Sequence, residues 1–235
     1  MVDFLYKNLY DVSDLIRIVS VLRGPGGCPW DGEQTHESIR RDLLEEAYEV
    51  VEAIDRNDPD GLKEELGDVL LQVVFHTSLE QEINGLTLDQ VADGICKKLI
   101  YRHPHVFGEV TVSGTGEVLS NWEKLKREEK GQKTDTDALR AVARSLPALW
   151  RAEKVQKKAE KAGIPVPAGQ LLASEIAAAA ARAEERLSEQ ELGRLLFDAV
   201  ALARKNGIDP EVALTAATDA FIAQTEHTGG TPTQT

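Results

Sequence analysis

Residues 62–74 read Leu62-Lys63-Glu64-Glu65-Leu66-Gly67-Asp68-Val69-Leu70-Leu71-Gln72-Val73-Val74 and are the most informative segment of the chain. Apolar residues occupy almost every side of the segment at helical spacing, which predicts a buried α-helix. Glu65 and Asp68 are three residues apart and therefore share one face of that helix. The helix thus carries two acids into an apolar environment, where an unpaired charge costs several kcal/mol.

A second segment, residues 36–56, repeats this arrangement of acids on an apolar stripe. Glu46 and Glu49 share a face, and Glu45 points partly away from them. Four inward carboxylates on consecutive helices form an all-oxygen site, which suits Mg²⁺ or Mn²⁺ rather than zinc. The alternative is a solvated acidic face with Lys63 and Arg56 as partners. Because the acid pair occurs twice, each time within an apolar stripe, the metal site is favoured.

Helical periodicity continues along the chain, and no alternating segment of β-branched and aromatic residues is long enough to start a sheet. The sequence therefore predicts an all-α helical bundle. Helices are predicted near residues 11–22, 36–56, 60–82, 88–101, 117–129, 138–162, 170–187, 189–206 and 210–226. The polar segment 130–137 predicts a linker between two helical domains, residues 1–133 and 138–226. Residues 227–235 offer nothing to bury and are predicted to be disordered.

The composition excludes several classes of protein. The 235 residues include 27 bases and 40 acids, so the net charge is −13, which argues against nucleic acid as a partner. Cys28 and Cys96 lack CxxC partners, which argues against a disulfide framework or a cysteine zinc site. No apolar run is long enough to span a bilayer, and the first residues lack the pattern of a signal peptide. We therefore expect a cytoplasmic protein without a membrane partner.

The spacing of the acids is that of a known family. Glu45-Glu46-x-x-Glu49 followed by Glu65-x-x-Asp68 resembles the EExxE…ExxD signature of the MazG nucleoside triphosphate pyrophosphohydrolases. Further stretches that resemble the family are Gly27-Cys28-Pro29-Trp30-Asp31, residues 98–107, and Asn121-Trp122-Glu123-x-x-Lys126. The resemblance extends over residues 15–130.

This resemblance implies a MazG-like bundle that hydrolyses an NTP or dNTP to the monophosphate and pyrophosphate, as nucleotide-pool house-cleaning. Water would attack the α-phosphorus with the help of Mg²⁺. By the family pattern Glu46, Glu49, Glu65 and Asp68 are the metal ligands, and Glu45 binds metal through water or orients the attacking water. Since a triphosphate adds roughly four negative charges to four carboxylates, two or more cations are expected.

Four further residues are implied to bind the substrate. Lys98 and Arg102 are four residues apart on one helix face and form a cationic clamp for the phosphates. As an isolated pair they could equally be surface residues of an amphipathic helix. Trp122 and Lys126 complete the predicted substrate site; Trp122 could stack on a base, or anchor a core.

The second half echoes the first without its acids. Residues 190–197 match 64–71, which suggests an internal duplication. Glu191 remains, but Arg194 occupies the aspartate position and alanines follow Ile176 where the first acid pair is expected. Ala220 and Gln224 stand at the positions of the clamp. We therefore expect a degenerate, metal-free helical domain that supports folding or dimerisation.

A homodimer is expected because an acidic helical hairpin cannot bury its own apolar surface, and four-helix cores are often completed by a partner. Two rival interpretations remain. One is a related dCTP-type or phosphoribosyl-ATP-type pyrophosphohydrolase. The other is a non-catalytic helical regulator or nucleotide sensor that binds a partner protein. Lys98 and Arg102 beside a complete acid set favour an enzyme.

Overall fold

The computed structural model describes residues 4–132, 134–166, 174, 178 and 188–228. These residues divide into two units, the first ending at Val112 and the second beginning at Ser113. Helices are the regular structure of this part of the chain, which contains no strand, and the predicted all-α fold is confirmed. Among the same residues, no helix is both long and apolar enough to cross a membrane.

The first unit begins with a helix that packs on the long helix of the acidic hairpin. Its helices are α1 (Val12–Arg23), α2 (Pro29–Glu33), α3 (His36–Ile39), α4 (Asp42–Asp55), α5 (Pro59–Asn84), α6 (Leu88–Arg102) and α7 (Pro104–Phe107). The single helix predicted over 36–56 is interrupted at Arg40 and Arg41, although both residues keep right-handed helical dihedral angles. The short helices α2 and α7 were not predicted.

The core of the first unit lies under the second half of α5. Val74, Phe75 and Leu79 are buried there against Val19 of α1 and Ile39 of α3. The Arg23 guanidinium lies 5.1 Å from the centroid of the Phe75 ring, and both carboxylate oxygens of Glu82 accept from it at 3.0 Å. These contacts fix α1 on the core half of α5 and leave the acid-bearing half to pack on α4.

The acidic hairpin is formed by α4 and α5, which are joined by three residues and pack against each other. Asp58 starts α5: its side chain accepts hydrogen bonds from the backbone N–H groups of Asp60 and Gly61 at 3.2 and 3.0 Å. Pro59 occupies the first helical position, where no N–H is needed. The cap therefore fixes where α5 begins, and with it the positions of Glu65 and Asp68 about two turns later.

A polar contact holds α3 against α5. The Nδ1 atoms of His36 and His76 are 2.8 Å apart, so one ring donates and the other accepts. The Nε2 atom of His36 lies 3.2 Å from Glu80. Burial is the main cause that lowers the pKa of His76, and the neighbouring His36 lowers it further. The contact attaches α3 to the face of α5 that carries Asp68, Gln72, His76 and Glu80 at four-residue intervals.

The second unit contains α8 (Thr115–Glu129), α9 (Asp135–Arg140), α10 (Ala148–Lys161), α11 (Glu189–Lys205) and α12 (Pro210–Thr228). Thr134 caps α9, so the predicted linker 130–137 is wrong in its second half. The helix predicted over 138–162 is divided by residues 141–147. The helix predicted over 170–187 lies outside the described residues, apart from two positions. Residues 227 and 228 belong to α12 rather than to a disordered tail, and 229–235 are not described.

The boundary between the units differs from the predicted domain boundary. Contacts between Cα atoms group α8 with the second unit, so the division falls after Val112 and well before the predicted boundary at residues 133–138. Ion pairs join α8 to the two helices that follow it: Arg127 pairs with Asp135 of α9 at 2.8 Å, and Glu123 pairs with Lys161 of α10 at 2.5 Å.

Val200 and Ala201 of α11 form the core of the second unit together with Val142 and with Ala159 of α10. Gln156 is fully buried among them, and its Nε2 atom donates to the carbonyl oxygen of Phe197 at 2.8 Å. In the register that sets residues 64–71 on 190–197, Val200 and Ala201 correspond to Val74 and Phe75. Both units therefore build their cores at the same point of the echoed helix.

Candidate active site

Three of the predicted metal ligands come together between α4 and α5. Glu46, Glu49 and Glu65 each offer one carboxylate oxygen, and these oxygens all lie within 4.8 Å of one another. Glu49 is exposed, whereas Glu46 and Glu65 are partly buried. Their helical spacing explains the geometry, because residues three apart on α4 face the same side of α5.

The environment of Glu46 disfavours negative charge. Burial is the first cause that raises its pKa, to about 7, and a hydrogen bond with Glu49 also raises it. The charges of Asp68, Glu49 and Glu65 act in the same direction. A carboxyl group whose ionisation is disfavoured by burial and by three neighbouring acids is a suitable ligand for a cation, since a bound cation offsets that electrostatic cost.

Glu65 lies in the same environment, since burial and the charges of Glu49, Glu64 and Asp68 raise its pKa. Asp68 is outside the group of three oxygens, although its charge acts on both Glu46 and Glu65. The donors are all carboxylate oxygens from two helices, which is the chemistry that Mg²⁺ and Mn²⁺ prefer. The residues present therefore fit a hard divalent cation.

Glu45 is exposed on α4 and lies outside the group of three oxygens. Its place on the helix agrees with the expectation that it points partly away from the metal ligands. A direct ligand role is therefore less favoured than an action through water.

The prediction that α5 is buried on nearly all sides is wrong for the single chain. Leu66 is 52% exposed and Leu70 is 36% exposed. On α4, Leu44 and Tyr48 are also about half exposed. The acidic hairpin thus has an apolar surface beside its carboxylates that its own protomer leaves open.

The predicted phosphate clamp lies on α6. Lys98 is exposed, whereas Arg102 at the last helical position is only 7% exposed. The two residues are one helical turn apart, as expected, but differ strongly in burial. Their action on a triphosphate stays a prediction.

Trp122 and Lys126 lie on α8 and therefore in the second unit. The Lys126 ammonium is 4.5 Å from the centroid of the Trp122 ring, which is the geometry of a cation–π contact. Their assignment to the substrate site also stays a prediction.

The echoed segment in α11 uses its charged residues for local structure. The carboxylate of Glu191 accepts from the backbone N–H and the hydroxyl of Ser188 and completes an N-terminal capping box. Arg194, at the aspartate position, pairs with Asp198 at 3.1 Å. The acid that remains in this segment is therefore engaged as a cap, and Arg194 stands at the position that corresponds to the predicted metal ligand Asp68 of the first half.

Sequence reasoning missed one strongly basic surface of the second unit. Four lysines of α10, at positions 154, 157, 158 and 161, follow the spacing of a single helix face. This spacing was the available signal, but it lies in a chain whose overall charge is negative and in a half that was interpreted only as degenerate.

Comparison with known proteins identifies a family and several relatives of this chain. Residues 34–107 match the MazG nucleotide pyrophosphohydrolase domain, a range that holds the acid cluster, Lys98 and Arg102. The chain is 40% identical over 213 residues to the nucleoside triphosphate pyrophosphohydrolase/pyrophosphatase MazG of Thermotoga maritima, which covers 89% of this chain and 82% of that protein. It is 41% identical over 220 residues to the nucleoside triphosphate pyrophosphohydrolase of Escherichia coli K12, with coverages of 89% and 84%.

A crystal structure of a mazG-related protein from Thermotoga maritima is similar to 49% of this chain and 98% of its own, with 28% identity and a TM-score of 0.42. The two sequence relatives are 40% and 41% identical to this chain, over most of the length of each pair. The chain belongs to the MazG family.

Proposed function

We propose that this protein hydrolyses nucleoside triphosphates, NTP or dNTP, to the monophosphate and pyrophosphate in a reaction that requires Mg²⁺ or Mn²⁺. The observation that carries the proposal is the group of Glu46, Glu49 and Glu65 oxygens within 4.8 Å, placed in a chain of the MazG family. Clearing unwanted nucleotides from the cytoplasmic pool is the biological role that such a reaction suits.

In this proposal the acidic side chains bind the metal and the basic side chains bind the phosphates. Glu46, Glu49 and Glu65 would hold the cation, with Asp68 beside them. When bound, the cation would offset the charge of the triphosphate and polarise the phosphoryl group for attack by water. Glu45 would orient that water or reach the cation through water. Lys98 and Arg102 would bind phosphate oxygens, with Trp122 and Lys126 as further substrate contacts.

Product analysis tests the proposal directly. With Mg²⁺ and a panel of NTPs and dNTPs, we expect pyrophosphate and the monophosphate in equal amounts and no orthophosphate. In water enriched in oxygen-18, the label should enter the monophosphate, because attack occurs at the α-phosphorus. Release of orthophosphate with a nucleoside diphosphate would contradict the proposed reaction. Nucleotide binding without turnover would instead favour the regulator.

We further propose that the acidic hairpin packs against a second copy of the chain. Leu44, Tyr48 and Val51 of α4 are exposed at helical spacing, and Leu66 and Leu70 of α5 are exposed beside them. An uncovered apolar surface of this kind usually marks an interface. Gly67 lies between the two leucines, and a Cβ atom placed there would meet nothing within 4 Å in the described part of the chain.

Gly67→Ala tests this interface. In an isolated helix the change is stabilising by about 1 kcal/mol, whereas beneath a closely packed partner the new methyl group opposes association. We expect dimer dissociation to become about tenfold easier, as overpacking by 1–3 kcal/mol implies, measured by sedimentation equilibrium.

Gly116→Ala on α8 is the control, because a Cβ atom at Gly116 also meets nothing within 4 Å in the described part of the chain. Gly116 lies outside both the acidic hairpin and residues 138–226, so the change should leave the dimer unchanged. Equal dissociation constants for wild type, Gly67→Ala and Gly116→Ala would contradict an interface at Gly67.

The second half is proposed to be catalytically silent. Residues 138–226 would form a degenerate MazG-like domain that supports folding or assembly, since Glu191 and Arg194 are engaged in a cap and an ion pair. All turnover is then assigned to acids of the first unit.

A further inference from the structure

A groove of about 470 Å³ lies within the second unit, between α8, α9 and α10. Its basic residues are Lys126 and Arg127 of α8, Lys130 directly after α8, and Lys154, Lys157, Lys158 and Lys161 of α10. The acids that line it are Glu123 and Asp135. Seven bases therefore meet two acids here, in a chain with a net charge of −13.

The basic character of the groove follows from the two faces of α10. Gln156 and Ala159 are buried in the core, and the lysines at positions 154, 157, 158 and 161 occupy the remaining stripe. The packing of α10 on α11 thus fixes the direction in which the lysines point. The fold therefore brings the lysines of α10 close to the basic residues of α8.

Ion pairs neutralise only part of this charge. Lys161 pairs with Glu123 at 2.5 Å, Arg127 pairs with Asp135 at 2.8 Å, and Lys157 pairs with Glu153. Lys130, Lys154 and Lys158 form no ion pair within the part of the chain that the structure describes. Like charges held across a groove repel each other, and a bound anion would relieve that repulsion.

We propose that this groove binds an oligophosphate anion, either the phosphate chain of a nucleotide or an inorganic oligophosphate. Lysine ammonium groups act on phosphate as point charges, and the volume of the groove is that of a small-molecule site. A long nucleic acid is disfavoured, because beyond the groove it would run over a predominantly acidic protein.

This site differs from the acidic cluster in its dependence on metal. Without a divalent cation, the carboxylates of the cluster repel phosphate. The lysine groove needs no metal, since it supplies the positive charge itself. Lys154 and Lys158 have no role in the proposed hydrolysis, so the two proposals can fail separately.

Calorimetric titration of the full chain in EDTA at low ionic strength tests the groove. We expect inorganic tripolyphosphate and a non-hydrolysable NTP analogue to bind, and added salt to weaken both. The double variant Lys154→Gln and Lys158→Gln should lose about tenfold in affinity, as the loss of two charge contacts near the surface implies. Lys205→Gln, an exposed lysine of α11 outside the groove, is the control and should bind as wild type does.

The two ligands identify the source of the phosphate. Equal affinities for the two ligands support recognition of the phosphate chain alone. Tighter binding of the NTP analogue than of tripolyphosphate supports a nucleotide. The proposal is overturned by unchanged affinity in the double lysine variant, or by binding that needs Mg²⁺ and disappears in Glu49→Gln. Tighter binding of a single-stranded oligonucleotide than of tripolyphosphate also overturns it.

Discussion

Glu49→Ala is expected to lower kcat for pyrophosphate release by at least about a thousandfold, because it removes one proposed ligand of the metal that activates the reaction. Stability should not fall with activity. Glu49 is exposed, and its charge and hydrogen bond both raise the pKa of Glu46, so its removal relieves repulsion in the metal-free protein. Turnover at saturating Mg²⁺ and thermal melting in EDTA measure the two effects.

Glu52→Ala is the matched control for this variant. Glu52 lies one turn further along α4, is exposed, and pairs with Arg56 rather than with the acid cluster. It should keep near-normal turnover. If Glu49→Ala retained comparable activity, the ligand assignment would be wrong. If Glu49→Ala kept a residual activity that the additional loss of Glu65 did not lower, the second half would have to be the source of that activity.

Removal of divalent metal is expected to abolish turnover, and the need for metal should become more stringent below pH 7. Cations bind the ionised carboxylate, whereas Glu46 in the metal-free protein holds its proton up to a pH of about 7. The sign follows from the raised pKa: as the pH falls through 7, protons compete with the cation. The Mg²⁺ concentration for half-maximal rate should therefore rise by up to about tenfold per pH unit below that point.

The measurement is an Mg²⁺ titration of initial rates across the pH range after EDTA treatment. Mn²⁺ should restore activity, and a zinc-selective chelator should have no effect, because the ligands are all carboxylate oxygens. Glu46→Gln should abolish turnover. Hydrolysis that survives thorough EDTA treatment would contradict the metal mechanism.

The acidic hairpin could be predicted from the sequence because its signal is local. Glu46 with Glu49, and Glu65 with Asp68, are each three residues apart, and a helix turns such spacing into a shared face. Asp58 and Pro59 mark the start of α5 with equal clarity. The interruption at Arg40 and Arg41 could not be found in this way, since both residues form helices readily and their backbone angles remain helical.

Burial was less predictable than periodicity. An apolar pattern states that Leu66 and Leu70 avoid water, but it does not state whether the same chain or a second copy covers them. The burial of Arg102 beside the exposed Lys98 was equally hidden, because a pattern of residue types carries no distances. The same limit applies to the groove of the second unit, which exists only once α8 and α10 are placed near each other.

The acids and the core residues of α5 lie in different parts of the helix, and this separation affects how substitutions act during evolution. Substitutions at residues 65 and 68 alter the chemistry, whereas substitutions at Val74 or Phe75 damage the packing, so selection can act on the two properties independently. A duplicated copy released from catalytic selection can lose its acids one by one and still be retained for its shape. The arrangement of α11, with Arg194 in the acid segment and Val200 buried in the core segment, is the outcome that such a history leaves.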